Sequence, residues 1–102
     1  MRSIEQLVAD LEARIEKDGK EFCESLFHHA TVRLLAAKYA YYELNRPFIS
    51  DYTYDIEEKH WYVMGRALGL LKEDETSPCV DWDHTHPAAA EAKKLAERLI
   101  RK

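Results

Sequence analysis

The chain has 102 residues, a net charge of −4 at neutral pH and 46% hydrophobic against 33% charged residues. That length fits one domain spanning 1–102 and leaves no room for two. The balance excludes global disorder, and the acidic total makes a nucleic-acid partner unlikely, since backbone binders carry a basic face.

No apolar run approaches the roughly 18–20 residues of a membrane span. The N-terminus is amphipathic and charged and lacks the apolar stretch of a secretory signal. Together with only two cysteines, Cys23 and Cys79, this predicts a cytoplasmic protein with reduced thiols and no membrane partner.

Three glycines and three prolines leave few forced turns, so long helices are expected. The first starts at Ser3, with Gln6 completing a capping box. Ile4, Leu7, Val8, Leu11 and Ile15 form one stripe at helical spacing. Gly19 is the expected stop.

A second helical stretch covers 20–44, with Phe22, Leu26, Phe27, Ala30, Leu34, Ala37 and Tyr41 recurring every three or four residues. It is one long helix, or two with a break at 29–31 where Thr31 caps the second piece. Pro47 cannot sit in its interior. After a short loop at 46–50, Ser50 caps a third helix over 51–71, with Ile56, Val63, Ala67 and Leu70 inward and Gly65 and Gly69 sharing a face at a close helix crossing.

Residues 72–86 read as an acidic loop. A last helix starts at Pro87, with Ala88, Ala92, Leu95, Ala96 and Leu99 as its apolar stripe. Residues 87–102 hold five cations against two carboxylates, a solvated helix face with cations near its C-terminus. The fold class predicted is all-α, a small bundle of three to five helices in which an antiparallel hairpin is flanked by N- and C-terminal helices.

The most informative run is 41–55. A helix ends on Tyr41 and Tyr42, a proline turn reverses the chain, and a capped helix opens with Asp51, Tyr54 and Asp55. The last two lie three and four positions after Asp51, so all three crowd one face, which antiparallel packing sets beside the tyrosines. Rings stack on a flat cationic heterocycle, and carboxylates accept hydrogen bonds from hydroxyls. The same residues also serve structural ends, tyrosines as core and aspartates as caps.

This run resembles the N-terminal Ia subdomain of bacterial NAD-dependent DNA ligases, whose signature is an aromatic pair, a spacer, Pro, a hydrophobic residue, Ser or Pro, then Asp-x-x-Tyr-Asp. Tyr41, Tyr42, Pro47, Ile49, Ser50, Asp51, Tyr54 and Asp55 reproduce it. The looser likeness covers 31–80, where Ser77-Pro78 echoes a Ser-Pro of the ligases. The leucine usual after Tyr-Asp is replaced by Ile56-Glu57, and the first helix is additional. The resemblance implies a pocket for nicotinamide mononucleotide or NAD, with Tyr41, Tyr42 and Tyr54 on the ring and ribose and Asp51 and Asp55 as acceptors.

The lysine motif Lys-x-Asp-Gly that ligases adenylate occurs nowhere in the chain, and the remaining ligase modules do not fit in its length. Ligase chemistry is therefore rejected, and a non-enzymatic role is expected. The alternative is a protein-interaction or homodimerisation module, of the kind phages encode, that keeps the fold without the ligand; Trp61, Tyr62 and Trp82 are its candidate anchors.

Cys79, Asp81, Asp83, His84 and His86 are of zinc-ligating types, yet their spacing matches no common finger or ribbon. No metal is expected. His28-His29 is weaker still, because neighbouring helical residues diverge by about 100°.

Overall fold

The computed structural model describes residues 3–78, 82 and 84–100. Among them it is all-helical, with no strand: α1 (Ile4–Asp18), α2 (Lys20–Tyr42), α3 (Asp51–Ala67) and α4 (Ala89–Ile100). Helix α1 begins as expected. The Ser3 hydroxyl accepts from the Gln6 backbone N–H at 3.2 Å, and the Gln6 side chain accepts from the Ser3 N–H at 3.1 Å. Gly19 ends it at φ 100° and joins it directly to α2, a backbone conformation glycine adopts without steric penalty.

Helix α2 is the centre of the molecule. Leu34, Leu35, Ala36 and Ala37 are consecutive and all buried. At about 100° per residue they cover the whole circumference, so the helix is apolar all round because neighbours surround it. It packs against α4, α3 and α1; among the described residues α4 meets no other helix. The single stripe expected from the sequence therefore describes only part of α2, and its first half leaves Phe22 (59% exposed) and Leu26 in water.

Of the two alternatives for 20–44, the single unbroken helix is the one formed, without a break at 29–31. The Thr31 hydroxyl donates to the Phe27 carbonyl one turn back (2.9 Å) instead of capping a new helix, a bond compatible with an unbroken helix.

Two apolar clusters hold the bundle. One joins Val32, Leu35, Ala36 and Ala40 of α2 to Ala88, Ala92 and Ala96, with Tyr39, Phe48 and Trp82 at its border. The alanines let two helix axes approach closely. The other joins Ile15, Cys23 and Leu68, with Leu11, Phe27, Met64 and Ala67 around it. Cys23 is a buried free thiol. Across the α1–α3 contact, Arg66 donates to the Tyr62 hydroxyl (2.9 Å) and to Glu5 (3.2 Å). These partners, the tyrosine hydroxyl foremost, hold its guanidinium above its ordinary pKa.

Three helix boundaries differ from expectation, the first being α2, which ends at Tyr42 rather than at 44. Helix α3 stops at Ala67 rather than running to 71, since Gly69 turns left-handed at φ 75°. The Leu70 N–H then reaches the Gly65 carbonyl (2.8 Å) and the Gly69 N–H that of Arg66 (3.1 Å), the paired bonds of a Schellman end. Gly65 and Gly69 accordingly do not share a crossing face: Gly69 is exposed at the stop, while buried Gly65 lies under Leu71 and Phe27. Pro87 precedes α4 rather than opening it, and the His86 Nδ1 accepts the Ala88 N–H (3.0 Å) in the turn before the helix.

Candidate functional site

The site is assembled by the α2–α3 hairpin. Helix α2 ends at Tyr42, and Asn45 takes a left-handed φ of 52°, which asparagine tolerates better than most side chains. The Arg46 N–H then reaches back to the Ala40 carbonyl (2.8 Å). Pro47, Phe48 and Ile49 carry the chain over. Ser50 caps α3 by accepting from the Thr53 N–H at 3.1 Å.

Contacts down the hairpin confirm the antiparallel register. Arg33 grips both oxygens of Glu57, the second at 3.2 Å. About one turn deeper, the Trp61 indole N–H donates to the Thr31 hydroxyl (2.7 Å) and its ring stacks on Phe27 with centroids 5.5 Å apart.

This register opens a cleft of about 450 Å³ beside the turn. All five residues singled out in the sequence line it: Tyr41 and Tyr42 from the last turn of α2, and Asp51, Tyr54 and Asp55 from the first turns of α3. Tyr41 (49%) and Tyr42 (52%) are half in water with rings edge-to-face at 4.9 Å. They belong to the mouth of the cleft and not to the core. Tyr54 is half-buried, and Asp51 and Asp55 are exposed. Ile49, and Ser77 from the chain after α3, also line the space.

Two charged residues of the cleft escaped the sequence reading. Glu58 adds a third carboxylate beside Asp51 and Asp55. Lys38 lies three and four positions before Tyr41 and Tyr42, hence on their face of α2, and that spacing was the available signal. Its Nζ sits 4.8 Å from the Tyr54 ring centroid and 5.7 Å from that of Tyr42, at cation–π distance from both.

The other residues considered fall elsewhere. Trp61 is core, Trp82 is half-buried and leans on Tyr39 at 4.8 Å, and Tyr62 is half-buried with its hydroxyl donating to the Glu73 carbonyl (2.8 Å). The exposed aromatics are Phe22, Tyr41, Tyr42 and Tyr52. His28 meets the Glu91 carboxylate at 3.2 Å between α2 and α4, and its ring lies 6.0 Å from that of His29.

Cys79, Asp81 and Asp83 lie outside the described residues, while His84 is exposed and His86 serves the turn before α4. Among the described residues no group of three or more His, Cys, Asp or Glu is arranged to hold a metal, and no helix is long and apolar enough to cross a membrane. In comparisons with known proteins, the chain matches no family model, no curated protein and no solved structure.

Proposed function

We propose that the cleft at the α2–α3 turn binds nicotinamide mononucleotide, free or as part of NAD, and that the chain acts as a non-catalytic sensing or sequestering module. One observation carries this reading: Tyr41, Tyr42, Asp51, Tyr54 and Asp55 of the ligase-like run at 41–55 all line one cleft of about 450 Å³. That volume lies within the roughly 300–1,000 Å³ of small-molecule sites. A cationic pyridinium gains from an aromatic face, and ribose hydroxyls donate to carboxylates. The non-catalytic part of the reading rests on the missing adenylation lysine motif.

The test is an amide-resolved NMR titration with nicotinamide mononucleotide and NAD. Shifts should cluster at Tyr41, Tyr42 and 51–55 and saturate below millimolar concentration. The double variant Tyr54→Ala/Asp55→Ala should weaken binding at least ~10-fold, a loss of about 1.4 kcal/mol. A silent wild-type spectrum at several millimolar ligand would reject the proposal.

A second reading is a protein-interaction or self-association surface. The observation favouring it is a set of exposed aromatics at the same end of the hairpin, Tyr41 and Tyr42 in the last turn of α2 and Tyr52, 76% exposed, in the first turn of α3; such rings are common interface anchors. Light scattering separates the two. A dimer whose contact covers Tyr41 and Tyr42 would close the cleft, whereas a monomer leaves it accessible.

A further inference from the structure

The geometry points to Lys38 as the residue that makes the cleft select a phosphorylated nicotinamide nucleotide over its unphosphorylated riboside. This assignment rests on the nucleotide-binding reading and adds to it which part of the ligand goes where. Among the described residues lining the cleft, Asp51, Asp55 and Glu58 bring three carboxylates and Lys38 the one cation. A nicotinamide nucleotide is itself divided, with a cationic ring at one end and a phosphate at the other. Three carboxylates attract the first and repel the second.

Lys38 reverses that preference locally. Its ammonium stands over the faces of Tyr54 and Tyr42, at 4.8 and 5.7 Å from the ring centroids. A cationic ring cannot share the Tyr54 face with that ammonium without like-charge repulsion. A phosphate can approach it and accept charge-assisted hydrogen bonds, for which lysine offers three donors on a flexible stem. The ligand is thereby oriented: phosphate at Lys38, ring toward Tyr41 and the carboxylates of the first turns of α3.

The experiment compares nicotinamide mononucleotide with nicotinamide riboside, followed by amide shifts at low ionic strength, on the wild-type chain, Lys38→Met and Lys38→Arg. The wild type should bind the nucleotide about tenfold more tightly than the riboside, the margin expected of one charge-assisted contact at a partly exposed site. Lys38→Met should lose the preference or favour the riboside, because the three carboxylates remain, and Lys38→Arg should keep it. Added salt should shrink the wild-type preference as the charges are screened.

Equal wild-type affinities for the two ligands, or a preference that survives in a folded Lys38→Met, overturn the role of Lys38 and leave the nucleotide site standing. No shifts with either ligand in the wild type overturn both.

Discussion

Thr31 shows how much one hydroxyl contributes to the hairpin that carries the cleft. It donates to the Phe27 carbonyl and accepts the indole N–H of Trp61, which is only 3% exposed. Valine has nearly the same shape and can do neither. Thr31→Val therefore leaves a buried indole N–H without an acceptor, a loss of about 1–3 kcal/mol. For a domain of this size each kcal/mol moves Tm by roughly 4–8 °C. Thermal denaturation should show a drop of that order for Thr31→Val and little change for Thr31→Ser, which keeps the hydroxyl. Equal drops for the two would mean that packing of the methyl matters and the hydrogen bond does not.

At the scale of the element, α3 is governed by its two ends. Ser50 starts it and so sets Asp51, Tyr54 and Asp55 against the end of α2. Gly69 ends it, and the chain folds back so that Leu71 and Phe27 crowd Gly65; an added Cβ there would meet Leu71 and would lie 2.7 Å from a Phe27 ring carbon. Helix propensity alone favours Gly65→Ala by about 1 kcal/mol. Forcing a methyl into filled space opposes it by roughly 1–3 kcal/mol, and Phe27 has little freedom to yield because it is stacked on Trp61. Gly65→Ala should thus lower Tm. A rise would show that the two side chains move aside easily and that the approach to Gly65 is loose.

At the scale of the molecule, α2 is the shared partner: α1 and α3 pack against it and each other, whereas among the described residues α4 packs against α2 alone. The α2–α4 contact is built from small side chains, with Ala92 and Ala96 fully buried against Ala36 and Ala40. Ala92→Leu overfills it and should destabilise by about 1–3 kcal/mol. Because α4 has no second helix to hold it, the effect should be regional. Amide exchange of α4 should accelerate in the variant while α1 and α3 keep their protection. Uniform acceleration over all four helices would show instead that the bundle opens as one unit.

What was legible in the sequence is local chemistry. Ser3, Gln6, Gly19 and Ser50 mark helix ends because a cap is decided by the few residues around it. The grouping of Tyr41 and Tyr42 with Asp51, Tyr54 and Asp55 followed from a proline turn and helical spacing, both short-range. The faces and partners of α2 were decided only by tertiary structure. Burial of Leu34 to Ala37 on every side, and exposure of Phe22 and Leu26 on the same helix, depend on where α4, α3 and α1 lie. The end of α3 at Gly69, by contrast, is a local glycine stop that was read past. Lys38, four residues from Tyr42, entered the cleft only once α3 brought Tyr54 beneath its ammonium. Spacing along one helix sets which side chains are neighbours, but the face that a charge meets belongs to the element packed opposite.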